Sequence, residues 1–73
     1  MTETNTLDLH GFRHEEVDRL VENFVLLNQT LLPLNVICGN SNRMIELTKH
    51  TLDRLQVQYT QSPQYGKLIV TKI

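Results

Sequence analysis

The chain has 73 residues, 40% of them hydrophobic, and a formal net charge of −1 at pH 7. This length allows one small domain, and the charge excludes a global basic field that would attract nucleic acid, so any such binding must come from a local patch. The single cysteine excludes an internal disulfide, and no apolar run approaches the ~20 residues of a membrane span. The polar start has no signal-peptide character, so these features predict a cytoplasmic protein without a membrane partner.

The order of the predicted elements follows from hydrophobic periodicity. A flexible polar tail is expected at residues 1–5 and a single domain at residues 6–73. Alternation of apolar and polar residues predicts strands, and apolar residues at helical spacing predict helices. In chain order, we expect a strand at 6–10, a helix at 13–29, a strand at 34–38, a helix after the turn at 39–42, and strands at 56–61 and 67–72.

This βαβαββ order predicts an α/β fold, in the form of an α+β two-layer sandwich. Right-handed crossovers place both helices on one face of a mixed four-stranded sheet, and the other face stays open. The residues expected in the core between helices and sheet are Leu7, Leu9, Val17, Leu20, Val21, Phe24, Val36, Leu47, Thr51 and Leu55.

Polar residues follow the first two predicted strands. Asp8 and His10 share one face at the end of the first strand, and Gly39-Asn40-Ser41 follows the second. If these strands are parallel, both groups meet at the carboxyl edge of the sheet, where ligands of open α/β sheets bind. The turn opens a helix whose free N–H groups suit a phosphate, and Arg43 in its first turn adds a positive charge.

Two segments resemble the Smr family, the small MutS-related domains. Leu7-Asp8-Leu9-His10-Gly11 matches the family's Leu-Asp-x-His-Gly strand, and Glu16 falls near the family's Glu. The segment 36–41 matches the second family motif in part, with Cys38 where Thr or His is usual and Ser41 where the second Gly is usual. The short stand-alone form looks like versions carried by tailed phages.

The resemblance implies a fold like the C-terminal domain of translation initiation factor three and a nucleic-acid-binding domain with endonuclease activity that cleaves or nicks DNA or RNA. On this hypothesis, His10 acts as general acid or base, Asp8 orients it, and the turn Gly39, Asn40 and Ser41 holds the phosphate together with Arg43. No cofactor is required by the sequence; a divalent metal is an open alternative without a standard ligand spacing.

Several alternatives stay open at this point. In one alternative, the domain is a non-catalytic nucleic-acid-binding module. In another, it is a small regulatory domain that dimerises or binds a protein through its open sheet face. Cys38 with His10 is an alternative nucleophilic pair, although a lone Cys at a strand end is more often a small buried residue. Asp8, His10, His14 and Cys38 are the residue types of a transition-metal site, but their spacing matches no standard signature.

Overall fold

The computed structural model describes residues 5–73 of the chain. Its elements in chain order are β1 (Thr6–Asp8), α1 (Val17–Leu27), β2 (Leu34–Ile37), α2 (Asn42–Arg54), β3 (Gln58–Gln61) and β4 (Lys67–Lys72), with a single 3-10 turn at His14–Glu16 before α1. None of these helices is long and apolar enough to cross a lipid bilayer.

The four strands form one mixed sheet in the order β1-β2-β4-β3. β1 pairs with β2 in parallel, whereas β4 runs antiparallel to both β2 and β3. α1 and α2 contact each other and supply buried side chains to the same core. The predicted two-layer α/β sandwich with a mixed four-stranded sheet and two helices is therefore confirmed.

The core lies between the sheet and the two helices. β2 and β4 contribute alternate residues, so Leu34, Val36, Leu68 and Val70 are fully buried while their neighbours in sequence face the open side. Of the expected core residues, Leu9, Val17, Val21, Val36 and Thr51 are buried, and Leu7, Leu20, Phe24, Leu47 and Leu55 are partly buried against them.

The first two elements are shorter than their predicted ranges, because polar side chains bind the backbone near their ends. The strand expected at 6–10 ends at Asp8, whose carboxylate accepts the His10 amide at 2.9 Å and turns the chain. The helix expected at 13–29 begins as a 3-10 turn, with the Glu16 carboxylate accepting the Arg13 amide at 2.9 Å. It ends at Leu27, and the Asn28 side chain then donates to a carbonyl of the last turn.

The second helix is fixed at both ends by local conformations. The Ser41 hydroxyl accepts the Met44 amide at 3.1 Å and caps the N-terminus of α2. After the helix, Gln56 takes a left-handed conformation with φ of 60°, so the third strand begins at Gln58 and not at residue 56. The strand predicted at residues 67–72 is confirmed over its whole range.

Polar contacts connect α1 to α2 on the outer surface. The Arg54 guanidinium contacts Asp18 at 2.9 Å and Glu22 at 3.0 Å. The Thr51 hydroxyl donates to Asp18 at 2.8 Å, and this hydrogen bond is the main cause that lowers the pKa of the Asp18 carboxyl. These contacts connect the two helices on their outer surface, next to the buried core that packs them together.

The predicted tail at residues 1–5 falls mostly outside the described residues. Residues 1–4 are not described, so that part of the expectation stays a prediction. Asn5 is described, and its carbonyl oxygen accepts the Asn35 amide of β2 at 2.8 Å. Residue 5 therefore extends the pairing of the first strand instead of belonging to a free tail.

Burial predicts different costs for the same substitution on the two helices. Leu52 of α2 is fully buried, whereas Leu27 at the end of α1 is 81% exposed. Leu52→Ala should lower the free energy of unfolding by about 2 to 5 kcal/mol, and Leu27→Ala should change it by less than about 0.5 kcal/mol. Urea unfolding followed by circular dichroism measures both; equal effects would contradict the assigned core.

Candidate functional site

Three strand ends meet at the carboxyl edge of β1 and β2. The parallel pairing places Asp8 beside Ile37, and the antiparallel pairing places Ile37 beside Lys67, the first residue of β4. Paired residues project to the same side of a sheet. A carboxylate, an isoleucine and an ammonium group therefore form a row across three strands, on the face that carries no helix.

A cleft of about 370 Å³ opens at this edge, and Ile37 and Lys67 of the row line it. It is the candidate functional site, and it collects residues from three segments that are distant in sequence. They are His10 after β1, Ile37, Gly39 and Asn40 at the end of β2, and Gln64, Tyr65, Gly66 and Lys67 from the turn that leads into β4.

Asp8 holds the segment that carries His10. One carboxylate oxygen, Oδ1, accepts the His10 backbone amide at 2.9 Å and lies 3.4 Å from the Nδ1 atom of the same residue. Both side chains are exposed. Asp8 therefore fixes the backbone that carries His10, and the two side chains lie close enough for an ion pair when the imidazole is protonated.

The floor of the cleft depends on two glycines with positive φ. The imidazole of His10 lies over Gly39, where a Cβ would come to 3.4 Å from the ring atom Cε1. Gly66 packs so tightly that a Cβ there would overlap the Gly39 carbonyl oxygen. The Gly66 carbonyl accepts the Cys38 amide at 2.6 Å. Only glycine at residue 66 permits this close approach of the two backbones.

The predicted phosphate-binding residues are divided between two places. Gly39 and Asn40 line the cleft with His10, as the parallel strands imply. The Ser41 hydroxyl is the N-cap of α2 and binds the Met44 amide. Arg43 lines a separate depression on α2 with Glu46, Leu47 and His50, so the structure does not bring it into the cleft.

Cys38 projects to the side opposite His10. It is buried, its thiol donates to the Thr48 hydroxyl of α2 at 3.5 Å, and burial raises the pKa of the thiol. A raised pKa disfavours the thiolate, which is the reactive form. The alternative of a nucleophilic Cys38–His10 pair is therefore wrong, and Cys38 is a core residue.

The residues of the alternative metal site do not assemble. In the described range 5–73, no three His, Cys, Asp or Glu side chains form a group that fits a metal ion. Cys38 faces α2, and Asp8 and His10 are on the open side.

Sequence reasoning missed one side of the cleft. Tyr65 and Lys67 are not among the site residues that the sequence predicts, yet both line the cleft. The Tyr65 hydroxyl donates to the Asn42 side chain, which connects the β3–β4 turn to the first turn of α2. The signal available in the sequence was Gly66 directly before the last strand, because a glycine there indicates close backbone approach.

The chain was compared with protein-family models, with curated proteins and with solved structures, and none of the three comparisons found a match.

Two glycine substitutions separate backbone strain from steric overlap. Gly11 and Gly66 have nearly equal positive φ, 83° and 85°, but a Cβ at Gly11 meets nothing within 4 Å. Gly11→Ala should cost on the order of 1 to 2 kcal/mol from backbone strain alone. Gly66→Ala should cost clearly more, because the Cβ forces the turn away from Gly39.

Thermal or urea unfolding of both variants gives the two costs. Amide NMR shifts of the Gly66→Ala variant should also change at Cys38 and Gly39. Equal destabilisation by the two substitutions would contradict the close packing of Gly66 against Gly39.

Proposed function

We propose that this chain is an Smr-like nucleic-acid-binding domain that takes a phosphodiester into the cleft between His10 and Lys67, and that His10 promotes its cleavage. The observation that carries the proposal is that His10 and Lys67 line the same cleft, with Ile37 of the strand between them. An imidazole next to Asp8 and a cation therefore share one cleft.

The spacing of the row suits a phosphate between its ends. Neighbouring strands lie ~4.8 Å apart, so two strand spacings, on the order of 10 Å, separate the backbones at Asp8 and Lys67. Ile37 lies on the strand between them and supplies apolar surface to the cleft. A phosphate over Ile37 would have the Lys67 ammonium on one side and the His10 ring on the other.

In the proposed reaction, which is a hydrolysis, His10 takes a proton from the attacking water as the water oxygen bonds to phosphorus. The bond from phosphorus to the leaving oxygen breaks, and the proton is returned to that oxygen. Asp8 keeps the His10 ring oriented and stabilises its positive form between the two transfers. Lys67 offsets the charge of the phosphate oxygens throughout, so it contributes to binding as well as to the reaction.

Few positively charged side chains line the cleft, so we expect it to contact only one or a few phosphates. Lys67 is the one Lys or Arg among the described residues that line the cleft. Arg43 lies outside it on α2, where it can contact only a nucleic acid that extends past the cleft. The expected salt dependence of binding is accordingly small.

The first test compares the two lysines of β4. Lys67 lies at the cleft, whereas Lys72 ends the same strand at the opposite edge of the sheet. Lys67→Ala should weaken oligonucleotide binding and reduce the slope of log K against log salt by about one unit, since one phosphate contact is lost. Lys72→Ala should leave both unchanged. Fluorescence anisotropy at several salt concentrations measures them, and identical effects of the two variants would contradict binding in the cleft.

The second test concerns cleavage. His10→Ala should reduce the cleavage rate by about 10² to 10⁴, with little loss of affinity, because it removes proton transfer and leaves Lys67 in place. His50→Ala, an exposed histidine of α2 outside the cleft, is the matched control. Gel assays of end-labelled DNA and RNA strands give the rates. Binding without cleavage by the wild type would reduce the proposal to a non-catalytic module, and absence of binding would overturn it.

A further inference from the structure

Tyr65 is a large aromatic side chain exposed at the cleft. It is 56% exposed, and it lines the cleft together with His10 and Lys67. Its hydroxyl donates to the Asn42 side chain at the start of α2. An exposed aromatic ring presents a flat surface on which a nucleobase can stack, and the bond at its polar end helps to position that ring.

The size of the cleft suits one nucleotide. Its volume of about 370 Å³ lies near the lower limit of small-molecule pockets, which start at roughly 300 Å³. Tyr65 lines the same cleft as His10 and Lys67 and is two residues before Lys67 in the chain, so a nucleotide whose phosphate lies between those two residues is close to its ring. A base can stack on Tyr65 only when it is released from a double helix, where neighbouring bases cover its two faces.

The charge of the domain is an independent reason to expect a single-stranded ligand and not a duplex. Binding to a duplex depends largely on many Lys and Arg contacts with phosphates, whereas this chain has a net charge of −1 and one Lys or Arg among the described cleft residues. Single-strand binding combines fewer backbone contacts with stacking of bases on aromatic side chains. The residues that line the cleft, with one cation and one exposed aromatic ring, match single-strand binding.

We propose, building on the function proposed above, that the site selects an unpaired nucleotide and that Tyr65 stacks on its base. The substrate class is then single-stranded nucleic acid, or an unpaired segment of a longer one. The ring of Tyr65 is the specificity-determining group, and its hydroxyl has only the positioning role of the bond to Asn42.

Intrinsic fluorescence offers a direct readout, because the chain contains no Trp and two Tyr. The other tyrosine, Tyr59, is half-buried and its hydroxyl donates to Asp53 at 2.9 Å. In the Tyr59→Phe variant, Tyr65 is the only tyrosine, so tyrosine emission reports on it alone. A single strand of about 10 nucleotides should quench its emission on binding, whereas the matching duplex should not.

Affinity measurements with two substitutions separate the ring from the hydroxyl. Tyr65→Leu removes the ring and should weaken single-strand binding about 5- to 100-fold, and Tyr65→Phe keeps the ring and should stay within about 3-fold of the wild type. DNA and RNA strands are tested as separate arms. Melting curves of both variants should match the wild type, since Tyr65 lies in an exposed turn.

The outcomes distinguish this inference from the function it rests on. If duplex and single strand bind equally, or if Tyr65→Leu binds like the wild type while Lys67→Ala is impaired, the stacking role is wrong and binding in the cleft stands. If no strand binds to the wild type at low salt, the proposed function and the stacking role both fail.

Discussion

The contact between Gly39 and Gly66 is the constraint on which the site depends. Their backbones approach so closely that no Cβ fits at Gly66, and the Cys38 amide is bound to the Gly66 carbonyl at 2.6 Å. This contact joins the end of β2 to the start of β4. The His10 ring lies directly over Gly39, so the same backbone contact that closes the sheet edge also supports the candidate proton-transfer group. A small domain with a limited core gains a rigid corner here without additional side chains.

The layers of the fold were predictable because they follow from periodicity alone. Alternate burial along β2 and the single apolar face of α2 require helices on one side of a sheet, and the structure confirms this architecture. The element ends were less predictable. Asp8, Glu16 and Asn28 bind nearby backbone groups, and each bond redirects the chain without changing the hydrophobic pattern.

Half of the candidate site was predictable, and the other half required the strand order. Parallel pairing of the first two strands is enough to bring His10 to Gly39 and Asn40. Tyr65 and Lys67 join them only because β4 pairs with β2, which brings the start of β4 to the same edge. A hairpin sequence fixes the partner within the hairpin but not the neighbour on its other side, so this half of the site was not visible in the pattern.

The central claim is that a ligand binds at the corner where β1, β2 and β4 meet. An NMR titration tests this claim most directly. A single-stranded oligonucleotide is added to ¹⁵N-labelled protein and the amide shifts are followed. The account predicts that the largest changes occur at His10, Asn40, Tyr65 and Lys67, with small changes at the opposite edge of the sheet. Changes centred on the middle of the open sheet face around Ile69, or no changes at saturating oligonucleotide, would contradict it.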